Sequence, residues 1–332
     1  MIESNYQFPQ SPSLDLSIVT VSFNTRDILM ECLKSVQENT QGISYELLVV
    51  DNNSIDGSAG VVRDRFPDVQ LICNNKNRGF SAACNQGIKL SRGRYIVILN
   101  SDTLLIEDCF GKMIGYLDQN EMFSILSPQI LDENDQPRPM RLWTDTPKDA
   151  MLKILGMYQP ALEKEKMGAI EPKEVEAVGG SCFLIRRSLL ETIRLMDESH
   201  FLYNEEDDLC RRARSQGHKV CYYPVASIRH LLGQSTRRPE SREKVILETY
   251  KSNLFFFAKY YSSTWNLILK SLYRTTFLLG ILKSLLKSVT GKPLAGADDS
   301  IFLKLKLLFL RIPKQVNSVN EPEVSPGKSG SD

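Results

Sequence analysis

Four apolar runs between residues 16 and 102 constrain this chain more than any other feature: LSIVTVSF, YELLVVD, VQLICNN and RYIVILNSD, each closed by a polar cluster. Runs this short, rich in β-branched and aliphatic side chains, read as strands buried on both faces. Between them lie helix patterns. Ile28, Leu29, Cys32, Leu33 and Val36 recur at helical spacing from Arg26 to Asn39; a second segment runs through Val61, Val62 and Phe66 to Pro67; SAACNQGIKLS is the third. Strands alternating with helices predict an α/β fold, a mostly parallel sheet with helices on both faces. Sheets of this kind bind ligands outside the carboxyl ends of their strands. The clusters SFN, DNNSIDG, NNKNRGF and NSDT all fall there.

Composition narrows the function. The net charge of +1 provides no broad basic field for nucleic acid. The seven cysteines are scattered singly with no CxxC pair and there are three histidines, which fits neither a disulfide framework nor a zinc site and points to a reducing compartment. The N-terminal MIESNYQFPQSPS lacks the apolar core of a signal peptide. The pattern predicts a flexible leader over 1–13, one α/β domain over 14–238, basic amphipathic helices over 239–315 and a disordered tail over 316–332. Residues 145–173 read as a mobile insertion. Order resumes with a strand and helix in VGGSCFLIRRSLLETI, an acidic-to-basic helix in FLYNEEDDLCRRARSQG and a strand in HKVCYYPVASIRH.

The strand ends carry the candidate chemistry. Asp51, at the end of a buried run, can accept a hydrogen bond from a base imide or from ribose hydroxyls, whereas Asp56 reads equally as a helix cap. Asn24 and Asn53 belong to the same polar ends. In NNKNRGFSAACNQG, Gly79 permits close backbone approach, Arg78 is a partner for diphosphate oxygens, and Asn77 and Asn85 are not accounted for by helix–sheet packing alone. Asn100, Ser101 and Asp102 close the fourth run. One or two carboxylates there suffice for a Mg2+ or Mn2+ ion already held by a nucleotide diphosphate. Glu205, Glu206, Asp207 and Asp208 open a helix behind an aromatic FLYN wall, where one of them can act as a general base or all can be solvated caps. His230, with Ser235, Thr236 and Arg237, can complete the metal or diphosphate site.

In this order the motifs TVSFN, VDNNSIDGS, NNKNRGFSAACNQG, ILNSDT, VGGSCFLIRR, FLYNEEDDLCRR and RHLLGQSTR resemble family 2 glycosyltransferases, and in particular the rhamnosyltransferase-like branch of bacterial surface polysaccharide biosynthesis. The resemblance spans Leu16 to Arg238. It implies a GT-A fold with a nucleotide-sugar-binding half (14–103) and an acceptor half (104–238), Thr20, Val21 and Ser22 lining a base pocket, Asp51 reading a pyrimidine, and Asp102 as metal ligand. Asn100 stands where the family's metal motif begins with Asp. It further implies Glu206 as base with Asp208 its rival, Glu205 on the acceptor side, Gly179 and Gly180 as the acceptor loop, and His230 near the diphosphate. The implied partners are a dTDP- or UDP-sugar and a glycan or polyprenyl-diphosphate-linked acceptor, with a divalent cation as cofactor.

From Thr249 to Ala297 there is no acid, while Lys251, Lys259, Lys270, Arg274, Lys283, Lys287 and Lys292 stand among aromatic and aliphatic residues. The apolar stretches are cut too often to reach the roughly 20 residues of a membrane span. Helices of this composition lie in anionic membrane interfaces, pack on a catalytic domain or build a homodimer. The first use predicts a cytoplasmic protein held on the inner face of the cell membrane. Two other classes compete with the enzyme. One is a catalytically silent sugar-nucleotide-binding subunit. The other, a nucleotidyltransferase, wants an N-terminal glycine-rich phosphate loop that TVSFNTRDILM lacks.

Overall fold

The computed structural model describes residues 7–8, 11–138, 146–155, 157, 171–231, 239–289 and 301–309. Most of the expected leader and insertion, all of the tail, and Ser235, Thr236 and Arg237 lie outside these residues. The sheet is built from β1 (Leu14–Ser22), β2 (Tyr45–Asp51), β3 (Gln70–Cys73), β4 (Gly93–Asn100), β5 (Thr103–Leu105), β6 (Phe123–Leu131), β7 (Lys173–Val175), β8 (Cys182–Arg186) and β9 (Lys219–His230). The nine strands run in the order β3-β2-β1-β4-β8-β6-β9-β5, with β7 also paired to β9. Strands β1 to β4, β6 and β9 point one way and β5, β7 and β8 the other, so the sheet is mostly parallel.

Strand alternation explains why both faces are covered. Leu16, Ile18, Leu47, Val49, Val97 and Leu99 point to one core. Their neighbours Val19, Leu48, Ile96 and Ile98 point to the other. The first core is closed by α1 (Arg26–Asn39) and α4 (Cys109–Gln119), through Leu29, Leu33, Phe110 and Met113. The second is closed by α3 (Phe80–Leu90), α6 (Arg187–Ile193) and α7 (Glu205–Ser215), through Cys84, Ile88, Leu189 and Leu209. Helix α2 (Ser58–Arg65) lies between β2 and β3.

Past Asp102 the chain departs from simple alternation. Strand β5 turns back against β9, with Thr103 opposite His230, and β8 enters antiparallel beside β4. The segment read as insertion contains α5 (Pro147–Ile154), which starts at a reciprocal Thr146–Asp149 capping box. Its Ala150 is buried with Phe256, Phe257 and Leu269. The C-terminal region forms α8 (Pro239–Tyr260), whose acids all precede Thr249, and the acid-free α9 (Ser263–Val289) and α10 (Ile301–Leu308). Phe256 and Phe257 of α8 are buried, whereas Leu278, Leu279, Leu282, Leu285 and Leu286 of α9 are exposed. Among the described residues no helix is long and apolar enough to cross a membrane.

Candidate active site

Register brings the polar strand ends together. Ser22 of β1 lies opposite Asp51 of β2, and Val21 lies opposite Asn100 of β4. Asp51 and Asn100 therefore flank β1 about 10 Å apart, two inter-strand spacings. Asp51 is buried; its Oδ2 accepts from the Ser54 backbone N at 3.0 Å, and its Oδ1 has no hydrogen-bond partner. The Thr20 hydroxyl is likewise buried and unsatisfied. An unmet buried acceptor costs about 1–3 kcal/mol, so the Asp51 oxygen is poised for an incoming N–H or O–H.

The loops around it are tied to one another. Asn24 Oδ1 accepts from Ile55 N at 2.8 Å, and the Asn24 N–H donates to Ser54 Oγ at 2.9 Å. Asn24 and Asn53 both hold left-handed backbone, with φ of 56° and 70°. Asp56 serves as a helix cap: its Oδ2 accepts from Arg26 N at the start of α1, and its Oδ1 accepts from Ser58 N at the start of α2. Asn52 is the hub of the third loop. It donates to Asn77 Oδ1 and the Gly79 carbonyl, and accepts from Asn74 Nδ2 and Arg78 N. The Arg78 side chain is left exposed beside this rim. Asn85 is buried and spent on structure, exchanging two hydrogen bonds with the Met196 backbone and donating to Glu198.

Gly79 joins the two halves of the rim. Its φ of +89° favours glycine, and a Cβ there would lie 2.7 Å from the Phe201 ring. The next amide, of Phe80, donates to the Phe201 carbonyl at 2.7 Å.

At the end of β4, Ser101 accepts from Thr25 Oγ1 at 3.0 Å, and Thr25 in turn contacts Ser22 Oγ. Asp102 Oδ1 lies 3.0 Å from His230 Nε2, and the Leu231 amide donates to the Asp102 carbonyl. A carboxylate and an imidazole from distant parts of the chain thus meet on the rim that carries Asp51. This oxygen-and-nitrogen pair fits a divalent cation whose other ligands come from a diphosphate.

Helix α7 sorts the four acids by burial. Glu205, Asp207 and Asp208 are 4%, 1% and 0% exposed, and Glu206 alone of the four reaches the surface. A Cβ on Gly180 would come within 3.3 Å of the Glu206 carboxylate, which places that acid against the Gly179–Gly180 loop. Burial, reinforced by the neighbouring Glu206 charge, pushes the Glu205 carboxyl well above its usual range. Asp208 is a structural ion-pair partner rather than a rival base. Its Oδ2 accepts from Arg212 at 2.7 Å, and its Oδ1 accepts from Lys259 at 2.5 Å and from the Tyr260 hydroxyl at 2.6 Å. Against the opposing effect of burial, the Arg212 and Lys259 charges hold its pKa below the usual carboxylate range, so it is a poor proton acceptor.

Asp197, His200 and Asp208 form a buried group with ligand-type atoms within 4.8 Å of one another. The Lys259 ammonium sits between its carboxylates, at 2.8 Å from Asp197 and 2.5 Å from Asp208. That cation already supplies the neutralisation a metal would bring to this group.

The family model described as Glycosyl transferase family 2 matches residues 17–194. The chain belongs to this family. It is 28% identical over 240 residues to the low-salt glycan biosynthesis hexosyltransferase Agl10 of Haloferax volcanii, covering 70% of this chain and 73% of that one. It is 26% identical over 284 residues to the N-acetylglucosaminyl-diphospho-decaprenol L-rhamnosyltransferase of Mycobacterium tuberculosis, covering 80% and 91%. Among solved structures, GalNAc-T7 with UDP, GalNAc and Mn2+ superposes with a TM-score of 0.52 at 17% identity. The match covers 74% of this chain and half the length of that one, and shares the GT-A fold.

For this glycosyltransferase the rim unites Thr20, Ser22, Asp51, Ser101, Asp102 and His230, with Glu206 and Gly180 meeting on the second half. The sequence does not show the contacts made by Asn52, Phe201, Arg212 and Lys259. Asn52 is legible as the second amide of the loop, beside Asn53. The other three act through tertiary contacts that no local pattern announces.

Proposed function

We propose that this glycosyltransferase moves a sugar from a pyrimidine nucleotide donor to a hydroxyl of a glycan or polyprenyl-diphosphate-linked acceptor, with inversion. Rhamnose from dTDP-rhamnose is the first candidate and hexoses from UDP-sugars the second. The carrying observation is the unsatisfied, buried Asp51 Oδ1 on the sheet edge that also bears the Asp102–His230 pair. Asp51 Oδ1 accepts a hydrogen bond from the base imide N–H, and the Thr20 hydroxyl and Ser22 line the same pocket. Arg78, exposed on the rim, faces the diphosphate. The rhamnosyltransferase relative is named for a lipid-diphosphate acceptor, and the structural neighbour holds UDP and Mn2+. Both support this class of donor and acceptor.

Asp102 and His230 would hold a divalent cation, which when bound neutralises the departing diphosphate. Glu206, beside the Gly180 loop, takes the proton from the acceptor hydroxyl. That oxygen bonds to the anomeric carbon as the carbon–oxygen bond to the diphosphate breaks on the opposite face. A positioned base of this kind contributes roughly 10²–10⁴-fold. Transfer from dTDP-rhamnose to N-acetylglucosaminyl-diphospho-decaprenol tests the reading. Glu206→Gln should lower kcat by about that factor and leave dTDP binding intact, and the product anomer should be inverted. Full activity of Glu206→Gln, or retained configuration, would refute it. The exposed leucines of α9, with Lys270 and Arg274 on the same acid-free helix, support peripheral attachment to the inner face of an anionic membrane.

A further inference from the structure

Helix α8 grips α7 at both ends of the turn that carries Glu206. Asn204, the residue before α7, donates through Nδ2 to Asn253 Oδ1 at 2.8 Å. One turn on, Asp208 accepts from Lys259 and Tyr260, while Arg211 donates to the Tyr261 hydroxyl at 3.2 Å. Asn253 and Lys259 are six residues apart, about 9 Å along a helix, and they bracket the roughly 6 Å from Asn204 to Asp208.

The grip has a physical purpose. Tyr203 and Asn204 are consecutive left-handed residues, with φ of 69° and 66°. Each such residue costs on the order of 1–2 kcal/mol, and persists only where its surroundings hold it. Four acids in one turn also repel. Lys259 offsets this by pairing with Asp208 and Asp197, and Arg212 holds Asp208 from the other side while donating to the Ile193 and Leu195 carbonyls. The same helix shoulders the segment before α7: His200 meets the Phe255 ring edge-on at 5.0 Å, and Lys244 lies over the Phe201 ring at 4.6 Å.

We infer that α8 is a working part of the active site, in which Asn253 and Lys259 are positioning residues that clamp the first turn of α7 and hold Glu206 against the Gly180 loop. The inference rests on Glu206 as the base. It assigns the acid-poor C-terminal region a task in catalysis separate from any membrane contact. Asn253 acts through Asn204, and Lys259 through Asp208 and Asp197.

The test compares Asn253→Leu, Asn253→Asp and Lys259→Met in the full chain, by amide hydrogen exchange and by transfer from dTDP-rhamnose to N-acetylglucosaminyl-diphospho-decaprenol. Asn253→Leu strands the Asn204 amide, so exchange at residues 205–209 should rise about tenfold, while that of β1 and β4 stays as in the wild type. The kcat should fall about tenfold or more in step, with the donor KM within about twofold. Asn253→Asp keeps the accepting Oδ1 and should restore both protection and kcat. If Lys259→Met does not fold, the Asn253 pair still decides. Unchanged protection and kcat in Asn253→Leu, with Glu206→Gln inactive, would overturn the clamp alone. Full turnover by Glu206→Gln would remove the base, and the clamp's purpose with it, whatever the exchange shows.

Discussion

At the scale of single residues, the site separates groups that bind from groups that build. Asp51 and Asp56 stand five positions apart in one polar loop, yet one carries an unmet buried oxygen and the other caps two helices. Glu205 and Glu206 divide in the same way: burial pushes the inner carboxyl well above its usual range, and the outer one is only partly buried, against Gly180. Glu205 has a measurable signature in stability. Its folded pKa lies above the roughly 4.3 of an unfolded glutamate, so its contribution is full below that pH and is lost as pH rises toward the folded value. Glu205→Gln should therefore raise Tm relative to the wild type at pH 7 to about 8, with the gain fading toward pH ~4. A difference that stays flat across that range in thermal denaturation would show that Glu205 is ionised in the fold.

At the scale of elements, β1 to β4 and the later β8, α6, α7 and β9 are readable in the sequence, whereas α4, β5, β6, β7 and α5 are not. Strands β1, β2 and β4 are parallel and buried on both faces, so each appears as a continuous apolar run ending on a polar cluster, and the edge strand β3 is parallel to them but only partly covered. The later elements break that rule. Strand β5 has three residues, and α5 sits inside a polar segment with its capping box as the one local sign. The acidic helix was visible from its composition, but nothing local showed which acid faces out. That depends on Lys259 and Arg212, which neutralise Asp208 from two directions. Gly79 belongs to this scale because it fits the β3–α3 loop against Phe201. Gly79→Ala must accept a left-handed backbone and a contact with Phe201 ring and carbonyl atoms, the nearest at 2.7 Å. Chemical denaturation should show a loss of more than about 1 kcal/mol; wild-type stability would mean that the loop yields freely.

At the scale of the whole molecule, one sheet carries the rim proposed for the donor, and α8 packs against the helix of the proposed base. Helix α8 turns its aromatic face inward, whereas α9 leaves a row of leucines outside. The sequence offered both uses, since aromatic and basic residues suit an interface and a packing surface alike, and only the tertiary arrangement divides them between helices. Replacing Leu278, Leu282 and Leu286 together by Ser should abolish flotation with phosphatidylglycerol vesicles while turnover on a short, water-soluble acceptor persists. Equal flotation of the triple variant and the wild type would count against α9 as the membrane face.

The central claim is that neighbouring strand ends hold a pyrimidine diphosphate and its cation. Calorimetric titration of dTDP and UDP, with and without Mn2+, tests it directly. The wild type should bind at least one of them more tightly with Mn2+, Asp51→Ala and Asp102→Ala should each weaken binding by about tenfold or more, and Glu206→Gln should bind as the wild type does. Undiminished affinity in both aspartate variants would contradict the account.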